Sequence, residues 1–184
     1  MNKQRKSLII LAIFLFFGIM GCNSDEKPHL NNNTIMEKES TEKSNDTTPK
    51  VTGIGGIFFF SENPEEAREW YAKNLGLATN EYGSSFEFRN ANRPDEINYL
   101  QWSPFKKGSE YFEPSKKEFM INYRVQNIEE LVKKLKSNGV TVLDSIEEFD
   151  YGKFVHIMDH EGNKIELWEP VDKVFTEMGG EATK

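Results

Sequence analysis

Three side chains in the second half of this chain have the types to do chemistry or to orient a ligand: Arg124, His156 and Glu166, each inside a β-rich run. A guanidinium such as that of Arg124 can hold a carboxylate or phosphate through paired hydrogen bonds. Glu166 would serve as a general base if burial among Met120, Phe58 and Trp168 raised its pKa. Phe58, Phe60 and Trp168 offer rings on which a planar group can stack. His156, a strand histidine among aromatics, reads as a hydrogen-bonded pocket residue. Cys22 is the single cysteine, so an intramolecular disulfide and a cysteine-rich zinc site are both excluded.

Strand alternation decides which of these groups converge. In the run 119–125 the apolar side is Phe119, Ile121, Tyr123 and Val125, which should pack under a helix, leaving Met120, Asn122 and Arg124 on the opposite face. The same parity turns Gly56, Phe58 and Phe60 inward from the first strand, with Tyr99, Gln101 and Ser103 from a later one. Phe154, His156 and Met158 join them, as do Lys164, Glu166 and Trp168. The expected result is an aromatic-walled cavity with a few convergent polar groups, the mixture that a small-molecule site needs. The competing expectation is a collapsed core in which the aromatics fill the space and Arg124 pairs with Glu166.

These strands belong to a unit that occurs twice. The runs 54–61 and 119–125 lead to Asn63 and Asn127, each placed as a helix N-cap with a Glu at the third helical position, and Pro64 suits the first helical position. Apolar stripes follow at helical spacing, Ala67, Trp70, Tyr71 and Leu75 in one copy and Ile128, Leu131, Val132 and Leu135 in the other. Gly76 and Gly139 then suit left-handed helix ends. Caps and glycines recur at almost the same offset, which reads as an internal duplication. Strands at 86–89 and 97–103 complete the first copy; those at 140–143, 154–158 and 164–169 complete the second, with 106–117 as the link. The expected class is α+β.

The whole chain of 184 residues has 23 Lys and Arg against 30 Asp and Glu, a net charge of −7 that disfavours nucleic acid as a partner. Lys3, Arg5 and Lys6 precede an uncharged run, 8–20, too short for a usual membrane span and shaped like a signal peptide. Ile19-Met20-Gly21-Cys22 resembles the lipobox of bacterial lipoproteins, in which the cysteine is acylated and becomes the new N-terminus. Residues 1–21 are therefore expected to be a lipoprotein signal peptide, 22–50 a lipid-anchored disordered tether, 51–170 the folded domain and 171–184 a frayed tail. Export follows, with membrane lipid as a partner through acylated Cys22 at the outer face of a bacterial cell membrane.

Asn63-Pro64-Glu65-Glu66, Trp70-Tyr71 and Leu75-Gly76-Leu77, together with Gly162-Asn163-Lys164-Ile165-Glu166-Leu167, resemble the vicinal oxygen chelate superfamily. Its members include glyoxalase I, extradiol dioxygenases, fosfomycin-resistance thiol transferases and bleomycin-resistance proteins. The resemblance implies paired βαβββ modules forming a cupped mixed sheet with helices on the convex face, and often a homodimer. It also implies a divalent metal held by one residue from each of four strands. The corresponding positions are Gly56, Gln101, Met120 and Glu166, of which only Glu166 is a strong ligand. The expectation is therefore no cofactor and no catalytic metal, with His156 as a conceivable substitute ligand. A metal-free module binding a small molecule, through a pocket of Phe58, Phe60, Tyr99, Gln101, Met120, Asn122, Arg124, His156, Glu166 and Trp168, is the first reading. The second is a metal-dependent lyase, isomerase or dioxygenase using Glu166.

Overall fold

The computed structural model describes residues 46–91, 93–179 and 182–183. The expected signal peptide, most of the tether and Cys22 lie outside the described residues. Among the described residues there are nine strands: β1 (Lys50–Ser61), β2 (Thr79–Asn80), β3 (Gly83–Asn90), β4 (Arg93–Lys106), β5 (Phe119–Gln126), β6 (Thr141–Val142), β7 (Glu147–Phe149), β8 (Gly152–Met158) and β9 (Lys164–Pro170). Three helices, α1 (Pro64–Leu75), α2 (Ile128–Ser137) and α3 (Asp172–Met178), accompany them.

The strands form one mixed sheet in the order β2-β3-β4-β1-β5-β9-β8-β6, with β7 beside β8. Read outward from the β1–β5 seam, each half repeats the same succession. First strand and last strand pair in parallel in both halves, β1 with β4 and β5 with β9, while the seam is antiparallel. This is the two-module α+β architecture that the duplication predicts.

The two helices differ in how firmly they hold the sheet. Beneath α2, Ile128, Leu131 and Val132 join Val125, Val155, Ile157 and Leu167 in a buried cluster, supplied by the outward sides of β5, β8 and β9. Helix α1 buries no residue fully; Trp70 and Leu75 are 54% and 59% exposed, and Tyr71 makes the main contact, 4.6 Å ring to ring with Trp102. Asn63 caps α1 as expected, its side chain accepting from the Glu66 amide, and Gly76 is left-handed at φ 71°. The second capping box does not form. Asn127 sits at φ 55° and turns its amide toward the Thr47 carbonyl, so the carboxylate of Glu169 takes its place, accepting from the amides of Asn127 and Ile128. A carboxylate at a helix N-terminus also complements the helix dipole.

Within the expected frayed tail, the described residues 171–179 and 183 are ordered against the domain. Its first part is α3, whose Phe175 packs against Tyr99, Tyr151 and Trp168 across the open side of the cup. Thr183 then pairs with the outer edge of β3, its amide donating to the Ser85 carbonyl and its hydroxyl accepting from the Ala78 amide. A polar composition and two glycines conceal these anchors: a few apolar residues suffice when a concave aromatic surface awaits them.

Candidate functional site

The concave face of the sheet carries a row of side chains at one level, set by strand register. Ser85 lies opposite Gln101, Gln101 opposite Gly56, Gly56 opposite Asn122, Asn122 opposite Glu166 and Glu166 opposite His156. Three of the four positions singled out for metal thus share the row. Met120 does not: it lies opposite Phe58, is fully buried, and packs with Phe58, Phe105 and Phe112 at one end of the cup. Asn122 occupies the level expected for it. The expected position comes from counting back equally from each helix cap, but Gly56 lies seven residues before its cap, Asn63, and Asn122 only five before Asn127, in part because one residue rather than two separates strand from helix in the second module.

A bulge in β1 between Ile54 and Gly56 brings both Gly55 and Gly56 under cup residues. A Cβ on Gly55 would lie 2.2 Å from Asn122 Oδ1 and 2.7 Å from a Trp168 ring carbon; one on Gly56 would lie 2.7 Å from the Phe58 ring. Gly55→Ala is therefore expected to destabilise the domain by about 1–3 kcal/mol, because neither neighbour can move without disturbing the floor of the cup. A urea midpoint unchanged from wild type would contradict this packing.

Glu166, 3% exposed, is the hub of the floor. Its Oε1 accepts from Asn122 Nδ2 at 2.6 Å; its Oε2 accepts from the Tyr111 hydroxyl and faces His156 Nε2 at 3.0 Å. The other ring nitrogen, Nδ1, meets Asp144 Oδ2 at 2.7 Å. Burial alone would lower the His156 pKa, but its bonds to Asp144 and Glu166 prevail and push it up to about 9. Burial likewise pulls Glu166 upward, and the bonds from His156, Tyr111 and Asn122 overcome it, holding the carboxyl below its usual range. Both groups are charged at neutral pH. The raised pKa that a Glu166 base would need is thus replaced by its opposite.

Arg124 does not look freely into the cup, nor does it pair with Glu166. Its side chain, 2% exposed, forms an ion pair with Asp172 at the start of α3 and donates to the Tyr99 carbonyl at 3.1 Å, while its guanidinium lies 5.0 Å from the Trp168 ring centroid. Its charge is spent on fastening α3. Phe60 is also absent from the cavity wall: it stacks on Phe112, 4.3 Å between centroids, where the link between the modules folds back as a short 3-10 turn at Glu110–Phe112. Phe58, Tyr99, Gln101, Asn122, His156, Glu166 and Trp168 do line a common cavity of about 170 Å³. Tyr111, Phe149, Tyr151 and Phe175 also line it. Sequence parity misses them, because they come from the link, the small edge strand, a turn and the tail; the only signal is that each of these polar segments carries aromatics.

A sequence profile described as "Glyoxalase/Bleomycin resistance protein/Dioxygenase superfamily" matches residues 53–167. The chain belongs to that superfamily. Among solved structures it is similar to a methylmalonyl-CoA epimerase from Mycobacterium tuberculosis, at 18% identity and a TM-score of 0.46, covering 72% of this chain and 97% of that one. It is also similar to a superfamily member from Vibrio splendidus 12B01, at 12% identity and a TM-score of 0.41, covering 66% and 99% respectively. No curated protein matches.

Many members of the superfamily use a divalent metal, and the donors of this cup fit one poorly. Gly56 has no ligand atom, and Met120 lies outside the row. Both ends of the Gln101 amide are engaged, Oε1 with Ser85 at 2.8 Å and Nε2 with Ser103 at 3.1 Å. Glu166 already takes three bonds, and both His156 nitrogens face carboxylates. A protonated imidazole has no lone pair for a metal. Among the described residues no group of three or more His, Cys, Asp or Glu side chains is arranged to hold an ion.

Proposed function

We propose that this chain is a metal-free member of the superfamily that encloses a small organic molecule in its cup, held at the outer face of a bacterial membrane by acyl chains on Cys22. The observation that supports binding is the cavity between the sheet and α3: half of the described residues lining it carry an aromatic ring, while Gln101, Asn122 and Glu166 stand at its floor. An apolar cavity of roughly 150 Å³ accepts benzene, so about 170 Å³ suits a ligand near one ring in size. The aromatic walls would supply burial and the floor orientation. An enzyme using Glu166 as base has less support, since a carboxylate held by three donors below its usual pKa is a weak proton acceptor.

Native mass spectrometry of the protein from its own host tests this reading. A small organic adduct on the folded chain is expected; a catalytic turnover of the co-purified molecule that stops in Glu166→Gln would replace binding by catalysis. The tether is tested separately. Wild-type cells fed labelled palmitate should label the protein and keep it in the membrane fraction, whereas Cys22→Ser should lose both; an unlabelled wild-type protein shed to the medium would contradict the anchor.

A further inference from the structure

The charges around the cup indicate what it takes. Among the described residues no Lys or Arg lines the cavity; the ionised groups on its wall are Glu147, Glu166 and His156. Behind them stand Asp144 on His156 and Lys164, which donates to the Tyr111 carbonyl at 2.7 Å and lies 5.2 Å from that ring's centroid. The imidazolium is matched by two carboxylates, Lys164 balances one of them, and Arg124 is neutralised by Asp172. Glu147 is left over, and the wall carries a net negative charge. An anion entering here would meet that charge with no free cation to receive it.

Two residues that line the cavity also carry a buried acceptor atom that is unused. Asn122 Nδ2 is committed to Glu166, which fixes the orientation of the amide, and its Oδ1 is buried over Gly55 without a hydrogen-bond partner. The Tyr151 hydroxyl oxygen is likewise buried and unpartnered. A buried acceptor without a donor is costly, so a ligand bearing N–H groups would relieve it. Aromatic faces attract cations strongly where water is excluded. Resting on the binding reading above, we propose that the ligand is a compact organic cation, a protonated amine on an apolar body of about one ring, caged by aromatic faces and oriented by Asn122 and the Glu147 and Glu166 carboxylates.

A set of probes with one ring and different charge tests this by calorimetric titration of the full chain at neutral pH: benzylamine, benzyl alcohol and benzoate. Benzylamine should bind about ten-fold or more tighter than benzyl alcohol, with benzoate weakest, a preference equal to about 1.4 kcal/mol. Glu147→Gln should weaken benzylamine and leave benzyl alcohol unchanged. Equal binding of all three, or benzoate tightest, would overturn the choice of a cation while leaving the cup a binding site. Failure of all three to bind would remove the binding reading itself and this inference with it.

Discussion

Asp172→Ala is expected to destabilise the domain by about 3–5 kcal/mol and to open the cup, because it strands a buried guanidinium. Arg124 has its partner on α3 and, among the described residues, a further acceptor in the Tyr99 carbonyl, and Asn98 Nδ2 also donates to Asp172, at 3.1 Å. Removing the carboxylate leaves both donors without it at the point where α3 meets the sheet. Phe175 would then lose its anchor over Trp168 and Tyr151. Replacing both partners together, Arg124→Met with Asp172→Leu, should recover much of the stability, since the penalty comes from the unpaired charge more than from loss of the pair. Urea midpoints and protease cleavage at α3 give the readout. If Asp172→Ala unfolds at the wild-type midpoint with α3 still protected, the latch described here is wrong.

The second large effect is a fall in stability on the alkaline side of neutrality. The folded state holds a proton on His156 up to about pH 9, whereas the unfolded chain releases it near 6.5. Folding therefore binds a proton, and the stability it contributes is complete below 6.5 and lost as pH rises through about 9. A pKa moved that far corresponds to about 3 kcal/mol. The groups facing the imidazole are Asp144, Glu166, Tyr111 and, through the Tyr111 backbone, Lys164. The carboxylates act at the other end of the scale. Asp144 and Glu166 are held below their usual range, so their contribution is present above the unfolded carboxylate pKa and is lost in acid. Denaturation across a pH series should show a plateau between these limits, and His156→Gln should flatten its alkaline limb. A wild-type midpoint unchanged between pH 6.5 and 9 would contradict a charged His156.

The modules were legible because the features that build them are local. Cap, stripe and terminal glycine all lie within one helix length, and strand parity places Asn122, His156, Glu166 and Trp168 on the concave face without long-range information. What parity cannot show is which inward groups remain available. Arg124 faces inward as read, yet its charge is consumed by Asp172, forty-eight residues later in a segment whose composition suggests no structure. Met120 is misplaced because the distance from the shared level to the helix cap differs between the modules, a property of the folded pairing that leaves no mark in the β5 sequence. Tyr111 and Asp144, which hold Glu166 and His156 in their charged forms, sit in a link and a turn, where neither period nor spacing selects them.

These particulars converge on a floor whose charged groups are engaged by one another, with the Asn122 Oδ1 left unpartnered, at the level where the superfamily often places an ion. Metal content decides this most directly. The full chain, incubated with nickel, zinc, manganese or iron and then dialysed, should retain no stoichiometric metal, and its tryptophan fluorescence should not change on addition of any of them. Retention of one ion per chain, abolished in Glu166→Gln, would show that Glu166 is a ligand after all and would contradict the account.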